Sequence, residues 1–146
     1  MKRALLATDA SEASLRAAKA LGRMARHDPE MYVTILHVVP LPDVVTPAAA
    51  AGAPLTLPGR LEDYLENRTR EVLETTTDML DLPAERVKTM HVIGNAADAI
   101  LGEAKTGRYD LIVMGRRGLS PLREMLLGSV SQAVIHRAHC PIFLVP

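Results

Sequence analysis

The sequence predicts an α/β fold: a doubly wound, five-stranded parallel sheet with helices on both faces. Two observations carry this. Short apolar runs of strand length alternate with segments of helical period along the whole chain. The fourth run, Leu111–Met114 (LIVM), is apolar at every position, as expected of a central strand covered on both sides. Alternation of this kind implies parallel pairing through right-handed crossovers.

Each element follows in order. Ala4–Thr8 is the first strand. From Ser11 the period changes: Ala13, Ala17, Leu21 and Met24 recur at helical spacing, and either Asp9 or Ser11 is placed to cap that helix. Pro29 stops it, and Tyr32–Val39, rich in β-branched residues, is the second strand. Half of the ten prolines then fall between Pro40 and Gly59, around the run Ala48–Ala51. A loop of that length in a compact domain is functional or disordered, and a mobile flap is expected here. Leu61, Leu65, Val72 and Met79 mark a long amphipathic helix that ends near Pro83. Val87–Ile93 is the third strand, and Asn95 and Asp98 open the next helix at the spacing of a capping box. After Leu111–Met114 come a glycine-containing loop, a helix through Val130–Ala138 and a fifth strand, Pro141–Val145. The expected strand order is 3-2-1-4-5.

Bulk properties narrow the function. A chain of 146 residues fits one domain, residues 1–146, with no repeat. Lys plus Arg and Asp plus Glu both number 17, so no general field draws it to nucleic acid or an anionic membrane. The single Cys140 cannot form an internal disulfide. The apolar run after Met1-Lys2-Arg3 breaks at Thr8-Asp9, too soon for a signal peptide, and no stretch nears the ~20 apolar residues of a membrane span. A cytoplasmic protein without membrane insertion is expected.

In an open doubly wound sheet, ligands bind beyond the carboxyl ends of strands where the winding reverses, here between the first and fourth strands. Two loops should face each other there, one starting at Asp9 and one at Gly115. Glycines at 115, 118 and 128 allow positive φ or close approach of backbone to ligand. Gly128-Ser129-Val130-Ser131 opens the last helix, whose free N–H groups and dipole favour an anion, with the hydroxyls of Ser129 and Ser131 as added donors. Together these make a phosphate cradle, although glycines and a serine also occur at many ordinary strand–helix turns.

At these residues the sequence resembles the universal stress protein family. Gly115, Gly118, Gly128 and Ser129 match the G-x2-G-x9-G-[ST] pattern of its ATP-binding branch without a gap. The start Leu5-Leu6-Ala7-Thr8-Asp9-Ala10-Ser11-Glu12, the strands Leu36-His37-Val38-Val39 and Val92-Ile93-Gly94-Asn95, and the ending Cys140-Pro141-Ile142-Phe143-Leu144-Val145 are similar to the family as well. The resemblance implies bound ATP with Mg²⁺. It puts Asp9 beside the ribose and near a phosphate-bound metal, the backbone of Val38 at the adenine edge, and Met114 close by. Gly115, Gly118, Gly128, Ser129, Val130 and Ser131 would contact ribose and phosphates. Ala7 stands where some ATP-binding members carry proline, and the contact there is to backbone. Arg116, Arg117 and Arg123 are a solvated edge, unless one of them, with Arg117 among the candidates, gives a counter-charge. The resemblance also implies a homodimer through the apolar last strand, which lies at a predicted sheet edge.

Catalytic signatures are missing: there is no G-x-S-x-G elbow, no G-x-x-x-x-G-K-[ST] loop and no G-x-G-x-x-G. His136, His139 and Cys140 lack the fourth ligand and paired spacing of a zinc site, so no metal-ion site is expected there. Cys140 is expected to be a buried small apolar residue, and His37 and His91 to be structural. The sequence thus favours an ATP-binding regulator acting in a stress response through an unknown protein partner. It leaves two rivals open: a slow ATPase or other nucleotide-using enzyme, and an interaction protein with no physiological nucleotide.

Overall fold

The computed structural model describes residues 2–40, 51–53, 59–118 and 127–146. Their elements run β1 (Lys2–Thr8), α1 (Glu12–Arg26), β2 (Met31–Val39), α2 (Gly59–Leu80), a single 3₁₀ turn (Ala84–Arg86), β3 (Val87–Ile93), α3 (Ala96–Thr106), β4 (Leu111–Gly115), α4 (Ser129–Arg137) and β5 (Ile142–Val145). All four strand pairings are parallel, and the order across the sheet is β3-β2-β1-β4-β5, as predicted. Most of the flap expected between Pro40 and Gly59 lies outside the described residues.

Boundaries moved where backbone pairing, not side-chain character, decides. β1 reaches back to Lys2 and β2 to Met31 because these two residues pair across the ladder, although Lys2 and Arg3 break the apolar run. The last helix begins one residue earlier than predicted, at Ser129, with Gly128 as its N-cap.

Two cores sandwich the sheet. On one face Ala17, Ala18, Leu21 and Ala25 of α1 and Leu80 of α2 pack on Leu6, Val33, Ile35 and Val113. On the other, Ala97, Ile100, Leu101 and Ala104 of α3 and Val134 of α4 pack on Leu5, Leu36 and Ile112. The α1–α2 contact is close enough that a Cβ on Gly22 would collide with the backbone carbonyl of Leu80. Winding therefore reverses between β1 and β4, one strand feeding the α1 face and the other the α4 face. No helix among the described residues is long and apolar enough to cross a membrane.

Candidate functional site

The carboxyl ends of β1 and β4 open onto one cavity of about 210 Å³. The structure brings all eleven residues singled out from the sequence to its lining: Ala7, Asp9, Val38, Met114, Gly115, Arg117, Gly118, Gly128, Ser129, Val130 and Ser131. It adds five that the sequence reading missed: Thr8, Ser14, Leu36, Ala96 and Ile100. A signal for three of these existed. Leu36 shares a strand face with Val38, and Ala96 and Ile100 stand one turn apart at the start of α3.

The β1–α1 turn is built by short side chains bonding the backbone just ahead of them. The Ala10 N–H donates to Thr8 Oγ1 (3.2 Å), and the Ser11 N–H donates to Asp9 Oδ1 (2.9 Å). Ala10 is thereby held at φ 58°, a left-handed geometry that alanine adopts at a cost of about 1–2 kcal/mol. Of the two candidate caps, Ser11 caps α1, its Oγ accepting the Ser14 N–H (3.3 Å). Asp9 is half-buried and points across the crevice, where a Cβ on Gly118 would lie only 2.6 Å from its Oδ2.

The positive φ expected of the glycines is not found. None of Gly115, Gly118 and Gly128 has positive φ; among the described glycines only Gly52 and Gly94 do. Gly115 is needed for packing, because a Cβ there would lie 2.8 Å from Ala13 and the Ser14 nitrogen of α1. Gly128 sits at φ −70°, ψ 154°, and its N–H already donates to the Arg116 carbonyl (2.9 Å). Ser131 also departs from expectation. Its buried hydroxyl donates to the carbonyls of Gly115 (3.1 Å) or Arg116 (3.0 Å), so its hydrogen is not offered to an anion.

What α4 does present to the cavity is its first turn. Gly128 supplies no side-chain cap, and the N–H groups of Ser129, Val130 and Ser131 are the first-turn donors that precede the helix's own hydrogen-bond ladder. With the helix dipole, such an end carries roughly half a positive charge. The opposite wall is apolar, made by Leu36, Val38, Ala96, Ile100 and Met114. A flat apolar body and an anionic tail would both be accommodated.

The family model described as the universal stress protein family matches residues 1–146. The chain belongs to the universal stress protein family. Universal stress protein YxiE of Bacillus subtilis is 32% identical over 145 residues, covering 97% of this chain and 96% of the relative. Universal stress protein UspA from Lactobacillus plantarum superimposes with a TM-score of 0.75 at 22% identity, over 99% of this chain and 97% of that one. A universal stress protein solved in complex with cAMP gives 0.71 at 24% identity, over 99% and 97%. One from Archaeoglobus fulgidus in complex with dAMP gives 0.63 at 20% identity, over 100% and 98%. At these identities the structural likeness is one of fold.

In this universal stress protein the remaining candidates separate cleanly. Arg117 lines the cavity and Arg116 does not; Arg123 falls outside the described residues. His136 and His139 are exposed, and no three His, Cys, Asp or Glu side chains gather among the described residues to hold a metal ion. Cys140 is half-buried against the α3–α4 core, and burial, with Asp110 nearby, pushes its thiol pKa up. His37 is structural, its Nδ1 bonded to the Thr8 carbonyl (2.9 Å). Asp9 is the one acidic side chain on the described cavity lining.

Proposed function

We propose that this universal stress protein binds an adenine nucleotide, ATP with Mg²⁺, between the ends of β1 and β4, and acts as a nucleotide-dependent regulator in a stress response. The observation that carries the reading is the convergence at one crevice of an apolar slot, a single carboxylate and an uncapped helix N-terminus. These suit, in order, a base, a ribose hydroxyl pair and phosphates. The relatives solved with cAMP and dAMP support an adenine ligand.

The cavity of about 210 Å³ is smaller than the roughly 300–1,000 Å³ typical of ligand pockets, so it suits base and ribose with the phosphates at the mouth. There they would meet the N–H groups of Ser129 and Val130, the Ser129 hydroxyl and Arg117. A Mg²⁺ would arrive with the phosphates, with Asp9 the nearest carboxylate on the lining. Asp9 alone gives a poor base for water attack, which supports a regulator with at most slow hydrolysis. A homodimer through β5 belongs to the same reading: this edge strand leaves Phe143 exposed, and pairing with a second copy would cover it. Light scattering of a monomer at tens of micromolar would count against that pairing.

Thermal unfolding tests the nucleotide. At about 100 times its dissociation constant a ligand adds roughly 2.7 kcal/mol, or about 5–10 °C in Tm for a domain of this size. ATP with Mg²⁺ should give that shift, and ADP a smaller one. If AMP or cAMP stabilises more than ATP, the triphosphate assignment falls and the adenine nucleotide stands. No shift with any of them at millimolar concentration, in protein shown to be nucleotide-free, refutes the reading.

A further inference from the structure

The end of β1 is fastened by a cluster of buried hydroxyls contributed by three elements. Thr76 of α2 is fully buried and donates its only hydroxyl hydrogen to the Val72 carbonyl (2.7 Å). Ser14 of α1 likewise donates to the Ser11 carbonyl (2.9 Å). Neither retains a hydrogen for Thr8, so Thr8 is the donor in this cluster, and its single hydrogen goes to Thr76 Oγ1 at 2.9 Å, the nearer acceptor, with Ser14 Oγ at 3.2 Å as the alternative. The same Thr8 oxygen accepts the Ala10 N–H (3.2 Å), while its carbonyl takes a hydrogen bond from His37 Nδ1 (2.9 Å). A carbonyl only accepts, so Nδ1 carries that proton.

Thr8 thus joins, through its side chain, α2, α1 and the turn that carries Asp9. Thr76 satisfies itself on its own helix, so an apolar residue of its size would pack there without an orphaned group. Its pairing with Thr8, 68 positions away, is therefore not required by α2 itself. What the pair fixes is the rotamer of Thr8, and through it Ala10 at φ 58° and the direction of Asp9 towards Gly118.

We propose that Thr8 is a positioning residue for Asp9, with Thr76 as its anchor, so that the seating of α2 sets the geometry of the nucleotide crevice. The effect on ligand affinity rests on the adenine-nucleotide reading; the effect on the turn does not. The test uses the full chain, with amide hydrogen exchange at Ala10 in ligand-free protein and calorimetric titration of ATP with Mg²⁺. Thr8→Val should speed Ala10 exchange about tenfold or more, and Thr8→Ser should restore it. Thr76→Val should act in the same direction more weakly, and should add nothing in the Thr8→Val background. ATP affinity should fall about tenfold in Thr8→Val, recover in Thr8→Ser, and be indifferent to Thr8→Val once Asp9→Ala is present.

Unchanged Ala10 exchange in Thr8→Val overturns the proposal, as do losses from Thr8→Val and Asp9→Ala that simply multiply. If the parent takes up no ATP, AMP or cAMP while Ala10 exchange follows the expected pattern, the nucleotide reading falls and the positioning role stands. Should Thr8→Val not fold, Thr76→Val and Thr8→Ser carry the same comparison, and equal exchange at Ala10 in parent and Thr76→Val then decides against it.

Discussion

Gly118→Ala probes the contact across the crevice with a single methyl group. That methyl would lie 2.6 Å from Asp9 Oδ2, whereas ordinary contact begins near 3.4 Å. Gly118 is exposed and outside the left-handed region, so the new residue meets no backbone strain, and the clashing atom is the tip of a side chain. The fold should therefore lose little, within about 0.5 kcal/mol. The carboxylate cannot retreat freely, however, because its other oxygen accepts the Ser11 N–H at 2.9 Å. It must either swing out of the crevice or release that bond. A hydrogen bond made by a charged group is worth about 1.5–3 kcal/mol, so nucleotide affinity should fall some ten- to hundredfold. Calorimetric titration beside a thermal melt reads both quantities. A Gly118→Ala protein that keeps the parent's affinity would show that Asp9 does not touch the ligand, whereas one that loses several degrees of Tm without ligand would show that the Asp9–Gly118 contact serves the fold.

Gly22→Ala should instead lower stability directly, because its Cβ meets the Leu80 carbonyl and forces α1 and α2 apart. Overpacking of this kind costs about 1–3 kcal/mol, or roughly 2–10 °C in Tm, and the displaced α2 should also weaken nucleotide binding through Thr76 and Thr8; an unaltered Tm would contradict the close crossing. Gly128→Val should abolish nucleotide binding at small cost to folding, since φ −70° suits any residue and an added Cβ has its nearest neighbours at 3.4 Å. Ser129→Ala, which removes one donor and leaves the main-chain N–H groups, should be milder; the reverse order of the two would misplace the phosphates. Burial, with Glu103 alongside, raises the Tyr109 phenol pKa above its usual value. Above a pH of about 10 the unfolded chain then ionises while the folded one keeps its proton, so stability falls as pH rises. Tyr109→Phe should flatten that alkaline decline in chemical unfolding, and parallel declines in the two proteins would exclude the effect.

Strand order and the location of the crevice were legible because both follow from alternation and handedness, which are written locally. Asp9 and Gly115 could be brought together from that order alone. What local pattern could not show is the reason behind each residue. Gly115 reads as a flexible turn but is a spacer beneath α1, which depends on how near that helix lies. Among the described non-glycine residues left-handed geometry falls instead at Ala10, Asp81 and Arg108, and neither alanine nor arginine gives any hint of it. Ser131 reads as an anion donor, yet its hydroxyl closes onto Gly115 and Arg116. The Thr8–Thr76 pair was invisible because one partner sits on an amphipathic helix where periodicity assigns it merely to the inner face. Side-chain partners across long separations are set by packing, and packing is not encoded in period.

The clasp between β4 and α4 has a consequence for how this fold can diversify. The Gly128 N–H on the Arg116 carbonyl, and the Ser131 hydroxyl beside it, cinch the chain where it leaves the sheet and where it enters the helix. The register of strand and helix is thereby uncoupled from the number of residues that join Arg116 to Gly128. Lengthening a segment whose ends are already held together costs only about 0.6 kcal/mol per doubling, so insertions there leave the strand and the helix where they are.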